Sequence, residues 1–587
     1  MEVKKETAQT HEGSSENIES NKDDINSNKE LNYDELLSSA GEFGRYQVFL
    51  FCLTFPFNIF GVFAYFSQLF MTEVSPNHWC WIPELENLTQ IERRNLAIPQ
   101  DSDTPFGYSH CEAFVANWSE VLLADQKPNE TWITESCQYG WEFNKTEIPY
   151  PTISSELGWV CDKNSYQATS QAMFFVGSII GGFVVGWVAD RFGRLPAATL
   201  SNLIGCVAGI ASIYANNFIQ FIICRFLFGM SYDNCMMMTY LLVLEYVAPK
   251  YRTLIANLPF AIFYTIGATT LPWIALACGH WKTISLATSI PMALAILAPF
   301  IIPESPRWLL SKGRIDEAIS KVVTIGHVNK KEVPLKLIER FKASNYNKKE
   351  ENTSMINMLR ISNLRKTFIS MCLVYMCAMT VFDALVRSIG GLGFDFFLSF
   401  TLVSFTEFPS LVIVSFILDI TGRKWTCIGA LLISSMFSVL TAFIGSGLPS
   451  VLCAMVSRFA VNMACNIAIQ WVAEILPTNV RGSGASIVHI CSYVGIFISP
   501  YIVYLKNFVT WLPLVVVGFI ALLGALLALT LPETAGIDLP QTFDDTVNMI
   551  DGQKFFDIPC LRKNNKKYVG NVNSLKCAHS ILTKKNV

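Results

Sequence analysis

The chain has 587 residues, 51% of them hydrophobic and 16% charged, against roughly a quarter charged in average soluble proteins. A soluble chain of this length would split into several domains with charged surfaces, whereas here the apolar residues, 42 Phe among them, come in long runs. A net charge of -3 argues against nucleic-acid binding as the main activity, and most of the seventeen Cys stand singly inside apolar runs, where a Cys is a small hydrophobe.

Residues 1–46 are rich in Glu, Asn, Ser, Asp and Lys and lack the apolar stretch of a signal peptide. They predict a disordered cytosolic tail. A membrane-spanning helix needs about 20 apolar residues. About twelve candidates follow, near 48–71, 168–189, 196–214, 218–243, 255–277 and 283–302, then 367–387, 396–418, 425–446, 449–471, 484–505 and 510–531. The third and seventh are shorter or interrupted by charge. The expected organisation is an N-terminal six-helix half (47–302) with a long loop at 72–166, an inter-half loop (303–366), a second six-helix half (367–531) and a C-terminal tail (532–587).

The two long loops differ in charge. The first holds 15 Asp and Glu but 5 Lys and Arg; the second holds 14 Lys and Arg. The short connections carrying Arg191, Arg194, Arg252, Arg423, Lys424 and Arg481 fall on the same side as the basic loop. Basic loops face the cytosol, so an even number of spans places both termini there. The acidic loop also carries four glycosylation sequons, at Asn87, Asn117, Asn129 and Asn144, and four cysteines, Cys80, Cys111, Cys137 and Cys161. Together they predict a segment in an oxidising compartment with two disulfides, for which three pairings are possible.

An internal repeat is the strongest feature. Asp190-Arg191-Phe192-Gly193-Arg194 recurs as Asp419-Ile-Thr-Gly422-Arg423, Glu245 and Arg252 recur as Glu474 and Arg481, and Pro303-Glu304-Ser recurs as Pro532-Glu-Thr, all at an offset of 229. Arg225-Phe226 and Arg458-Phe459 form a looser pair offset by 233. Two homologous halves in the same direction imply an axis along the membrane normal, about which they can rock to give alternating access to a central site. Gly193 and Gly422 suit tight turns. The acidic and basic residues at the helix ends, with Glu304 and Arg307, form a candidate latch that closes one conformation and releases in the other. The plainer reading is that the arginines only fix topology.

The loop Gly186-Trp-Val-Ala-Asp190-Arg-Phe-Gly-Arg194 resembles that of the major facilitator superfamily. The segment Pro303-Glu-Ser-Pro-Arg-Trp-Leu-Leu-Ser-Lys-Gly-Arg314 is similar to one in sugar porters and in the organic cation, carnitine and organic anion transporters. The large sequon-bearing loop resembles the second group, as do Gly158-Trp-Val-Cys161, Glu474-Ile-Leu-Pro-Thr-Asn-Val-Arg481, Ser499-Pro-Tyr-Ile-Val-Tyr-Leu505 and Leu531-Pro-Glu-Thr-Ala-Gly536. The resemblance spans about residues 40 to 545 and implies an all-α membrane protein of twelve helices that moves small organic ions without ATP, by uniport, exchange or ion coupling. The sequence agrees in lacking a phosphate-cradling Gly-x-x-x-x-Gly-Lys-Ser/Thr motif.

Ionisable residues within a membrane cost at least about 2.5 kcal/mol and are functional candidates by default. Asp233 lies 12 residues before Glu245 in the fourth span. It is a candidate anion for a cationic substrate, with Tyr240 as an aromatic wall suited to quaternary ammonium groups; an internal ion pair is the rival reading. Phe382 and Asp383 sit in the seventh span, where the resemblance implies a cavity-lining motif, but Arg387 four residues on offers an internal pair. Glu407 precedes Pro409 in the eighth span, a site for gating or binding. Tyr493 falls where, by the resemblance, cation transporters often carry Asp and carnitine or anion transporters Arg; His489, one turn earlier, is a candidate pH-sensitive group, though a lone His is more often simply hydrogen-bonded. Gln171, Asn466 and Gln470 are polar candidates on apolar helices, though amides also join helices. Met236, Met237 and Met238 beside Asp233 suit a cavity of adaptable shape.

The sequence therefore predicts a plasma-membrane transporter of small organic ions with a cationic preference, in contact with the lipid bilayer. It names no cofactor, metal, catalytic constellation or oligomeric state. Carnitine-like zwitterions or organic anions are alternative substrates, and a non-transporting sensor that keeps the fold is the rival of a different class.

Overall fold

The computed structural model describes residues 33–551 apart from 102–105, 124–127, 130–131, 249–250, 252–257, 347–354, 478–479, 538 and 541. Arg252, the side chain of Asp419 and most of the two predicted tails lie outside the described residues. The chain divides into two compact units, one of residues 1–53, 241–256 and 302–351 and one of the remainder.

The smaller unit begins with helix α1 (Tyr33–Ser39) and α2 (Arg45–Leu53). α1 lies within the predicted disordered tail. It is ordered because its apolar face, Tyr33, Leu36 and Leu37, is buried, and because Asp34 pairs with Arg307, whose guanidinium covers the Tyr33 ring at 4.9 Å. Tyr33 Oη donates to Glu245 O at 3.2 Å. Gln47, fully buried, donates to Tyr246 O at 3.3 Å and accepts from Asn329 at 3.0 Å. Tyr246 Oη donates to Glu304 O at 2.8 Å. Ser305 caps the helix Pro306–Ser311 by accepting from Trp308 N, with Pro306 in the first turn.

The larger unit opens with α3 (Phe55–Thr72), which continues α2 so that Arg45–Thr72 runs 28 residues. Two small two-stranded sheets follow: β1 (His78–Cys80) pairs antiparallel with β4 (Trp141–Phe143), and β2 (Glu112–Phe114) with β3 (Thr134–Ser136). They enclose a small core of Trp79, Leu85, Phe114 and Trp118. Disulfides join Cys80 to Cys137 and Cys111 to Cys161. A domain this small needs such covalent support because its apolar core is limited. The sequon residues Asn87, Asn117 and Asn129 are exposed on it and Asn144 is half-buried.

The long helices follow. They are α4 (Ser165–Phe192), α5 (Arg194–Ser212), α6 (Phe218–Glu245), α7 (Thr265–Cys278, preceded by a π turn) and α8 (Trp281–Ser289, extended by further turns to Ile301). The second series is α9 (Ser362–Arg387), α10 (Phe396–Phe405), α11 (Glu407–Thr421), α12 (Arg423–Ile444), α13 (Leu448–Ile475), α14 (Arg481–Tyr504) and α15 (Leu512–Ala528). The eighth predicted span breaks at Thr406 into α10 and α11, three residues before Pro409, which supplies no N–H to the ladder. Among the described residues, ten helical segments have the length and apolar composition to cross a membrane, and α15 is a shorter apolar helix. Their exposed faces carry large apolar residues such as Phe183, Ile219, Phe300, Phe416 and Phe519, as a lipid-facing surface requires.

Gly193 and Gly422 end α4 and α11 with φ of 117° and 86°, a backbone region in which side chains are strained. The repeated turn therefore has a common conformational basis in both halves. α4 and α6 cross at glycines, since a Cβ on Gly177 would collide with Phe226 O and one on Gly229 with Phe174 O.

Candidate functional site

Among the described residues of the larger unit, six ionisable side chains within the predicted spans bear on the site: Arg225, Asp233, Asp383, Arg387, Glu407 and Arg458. Burying a charge is costly unless it is paired and hydrogen-bonded, so their partners decide what each can do.

Asp383 is fully buried on α9. Arg387, one turn on, donates to it from Nε at 2.6 Å and Nη2 at 2.9 Å. Ser499 Oγ donates at 2.6 Å, and Tyr65 Oη also donates to it. Four donors occupy the carboxylate, so Asp383 is a structural hub tying α3, α9 and α14. Glu407 on α11 is also buried and pairs with Arg458 of α13 at 2.6 Å. Arg458 in turn donates to Phe382 O and lies over the Phe382 ring at 3.3 Å. Both acidic groups predicted in the seventh and eighth spans, with Phe382, thus sit in bonded arginine networks. The internal pair Asp383–Arg387 wins over an open carboxylate because four donors offset the cost of burial.

Asp233 on α6 differs. Its carboxylate is within 3.7 Å of His489 Nδ1 on α14 and retains 15% side-chain exposure. Among the described residues no Lys or Arg pairs with it. Aromatic rings surround this place. Tyr493 lies edge-on to His489 with ring centres 5.3 Å apart and is directed at Asp233. Tyr375 lies 6.0 Å from His489, Tyr232 lies edge-on to Tyr493 at 6.4 Å, and Tyr65 stacks on Tyr232 at 5.0 Å. Such faces attract cations, most strongly where water is excluded.

Arg225 on α6 is the cation left over. It is 2% exposed. Its Nε donates to Gln68 Oε1 at 2.6 Å, its guanidinium lies 5.1 Å from the Phe174 ring and 4.8 Å from the Phe228 ring, and Nη2 has no acceptor. Gln68 Nε2 donates to Ser170 at 2.8 Å.

Other candidates are less central. Asn466 donates to Asn462 O of its own helix at 2.8 Å and Gln470 donates to Glu474 at 3.2 Å. Tyr240 is half-buried two turns beyond Asp233. Gln171 is buried at 3% exposure with neither side-chain atom hydrogen-bonded, beside a cavity of about 70 Å³ at the disulfide-bearing end. In that cavity Glu73 lies 3.8 Å from Lys506, and burial raises its carboxyl above the ordinary range while Lys506 opposes the shift.

The profile of the family described as "Sugar (and other) transporter" matches residues 121–385 and 393–535. The chain belongs to this family, within the major facilitator superfamily. It is 30% identical to the carcinine transporter of Drosophila melanogaster over 87% of this chain and 78% of that one. Identity is 28% to the β-alanine transporter of the same organism, over 88% and 89%. It is also 28% to the human organic cation/carnitine transporter 2, over 90% and 96%. In structure it resembles the proton:xylose symporter XylE bound to 6-bromo-6-deoxy-D-glucose, with a TM-score of 0.55 at 16% identity, covering 86% of this chain and 99% of that one. This likeness is one of fold: twelve helices in two related halves. The chain is a membrane transporter and not an enzyme.

In the larger unit the transporter's repeated acidic and basic residues stand at helix ends. In the second half Arg423 pairs with Glu474 at 2.9 Å, and Glu533 accepts from Arg423 N at 2.9 Å and Lys424 N at 3.1 Å, capping the start of α12. Thr534 Oγ1 donates to Glu474 at 2.5 Å. Arg481, the partner expected from the repeat, donates instead to Leu476 O at 3.2 Å, because Arg423 and Thr534 already occupy Glu474. In the first half Arg194 pairs with Asp190 at 2.7 Å and Arg191 lies 5.4 Å from the Trp187 ring. Of the residues the sequence reading passed over, Arg225 and Arg458 had a signal in their shared Arg-Phe spacing. Tyr65, Gln68 and Tyr232 had none, since a Tyr or Gln in an apolar run reads as packing.

Proposed function

We propose that this transporter carries small organic cations by alternating access, with Asp233 as the anionic contact. The observation that carries the reading is the contrast among the three interior carboxylates. Asp383 and Glu407 are each bound by an arginine, whereas Asp233 faces tyrosines and a histidine. An ammonium group there gains a carboxylate and π faces together. The names of the carcinine and organic cation/carnitine relatives support the same class.

The disulfide-linked loop is the extracellular side of this reading and both termini are cytosolic, in a plasma membrane. Two disulfides and four sequons belong to an oxidising, glycosylating compartment. The Arg423–Glu474–Glu533 cluster is then a cytosolic latch of the second half, which rocking of the halves would release.

A second reading has one observation in its favour: Arg225 is a buried cation with no carboxylate partner among the described residues, and would suit a zwitterionic or anionic substrate. Uptake of a labelled panel of cations, zwitterions and anions separates the two. The cation reading predicts saturable uptake of a quaternary or protonated amine that falls at least ten-fold in Asp233→Asn. Carriage of an organic anion with no cation uptake would overturn it.

A further inference from the structure

The surroundings of Asp233 draw on both repeats. Tyr232 and Asp233 stand on α6 of the first half, whereas Tyr375 on α9 and His489 and Tyr493 on α14 belong to the second. Tyr65 on α3 connects this place to another. Its ring stacks on Tyr232 at 5.0 Å, and its hydroxyl donates to Asp383 of α9. The other donors to Asp383 are Arg387 and Ser499, at 2.6–2.9 Å, and both belong to the second half. Of the bonds to this carboxylate, the one from Tyr65 is therefore the one that crosses between the halves.

Further along, α3 keeps meeting the second half. Phe66 lies edge-on to Phe400 at 5.2 Å, and Phe70 lies against Phe396, Phe397 and Phe400 at 5.0–6.0 Å. Glu73, the C-cap of α3, stands 3.8 Å from Lys506. Phe66, Phe70 and Glu73 follow at steps of four and three residues, so they share one face of the helix. The end of α3 that leads into the disulfide-linked domain is thus sealed against the second half. Rocking that opens this end must part all of these contacts. Aromatic rings can slide past one another, whereas a hydrogen bond to a buried carboxylate is strong and directional. The Tyr65–Asp383 bond is the polar fastening, and its ring partner Tyr232 belongs to the surroundings of Asp233.

We propose that Tyr65 is a positioning residue that couples occupancy at Asp233 to closure of this end of the transporter. A cation seated at Asp233 among Tyr232, Tyr375 and Tyr493 touches both halves and draws them together. Tyr232 then holds the ring of Tyr65 in place, and the hydroxyl fastens α3 to α9. With no cation present the halves lose that bridge and the fastening opens more often. A ligand can shift such an equilibrium only by binding one state better than the other, and here the closed state supplies contacts from both halves. The inference rests on Asp233 as the cation contact, whereas the fastening itself does not.

The test is a cross-linking rate in the purified full-length protein in lipid nanodiscs. Glu73→Cys and Lys506→Cys are introduced together, a short bifunctional thiol reagent joins them, and the linked peptides are counted by mass spectrometry. The rate reports how often this end is closed. Without ligand, adding Tyr65→Phe keeps the ring and removes only the hydroxyl; it should slow linking about ten-fold, as loss of a hydrogen bond to a charged group does. Saturating tetramethylammonium should speed linking about five-fold where Tyr65 is present and leave it nearly unchanged in Tyr65→Phe. A tyrosine that only supports the fold would change the rate equally with and without ligand. An unchanged ligand-free rate in Tyr65→Phe would overturn the proposal, as would a ligand effect that survives in that variant. Should tetramethylammonium bind equally well to Asp233→Asn, the assignment of Asp233 has failed, and the ligand-free comparison still decides whether Tyr65 fastens this end.

Discussion

Arg225 and Arg458 occupy comparable places in the two halves, 233 residues apart and each followed by Phe. Both are buried, at 2% and 1% exposure, and both lie against phenylalanine rings. Their partners differ. Arg458 has the Glu407 carboxylate at 2.6 Å; Arg225 has the neutral amide of Gln68 at the same distance. One half has a closed ion pair and the other a cation held by an amide and two π faces. The difference shows how a duplicated scaffold acquires asymmetric electrostatics: the arginines repeat and the counter-ion does not. It leaves positive potential near Arg225 and negative potential at Asp233, both on α6.

The largest effect is expected from Glu407→Gln. That change leaves Arg458 buried without a counter-charge and should cost about 3–5 kcal/mol. The expected readout is a large loss of thermal stability in the purified protein, with loss of transport. A smaller effect is expected from Gln68→Leu, which removes the acceptor of Arg225 Nε and should cost about 1–3 kcal/mol. Smallest in stability, and most informative, is Gln68→Glu. It gives Arg225 the counter-ion that Arg458 already has, so stability should be kept or improved slightly. If the positive potential at Arg225 repels cationic substrate, uptake of cations should rise up to a few-fold. Equal destabilisation by Glu407→Gln and Gln68→Leu would mean that the two arginines are not held differently.

The fold was largely legible because membrane spans and repeats leave strong marks. Long apolar runs are hard to mistake, and the offset of 229 ties the turns at Gly193 and Gly422 together. Tertiary pairing was less legible. Asp383 and Arg387 are one turn apart and were readable as a pair, but Glu407 and Arg458 are 51 residues apart, and only packing of α11 against α13 reveals their bond. Tyr65 donates to Asp383 across 318 residues, a contact no local pattern announces. α1 was misread as disordered because a short polar segment carries little apolar signal. Its order comes from burial of Tyr33, Leu36 and Leu37 and from Arg307.

The central claim is that Asp233 is the interior carboxylate open to a positively charged substrate. Its most direct test is uptake of a labelled, permanently charged quaternary ammonium ion into proteoliposomes at two imposed membrane potentials. Saturable uptake, faster with the interior negative, is expected to fall at least ten-fold in Asp233→Asn while the variant keeps its thermal stability. Uptake unchanged in Asp233→Asn, or an organic anion carried where the cation is not, would contradict it.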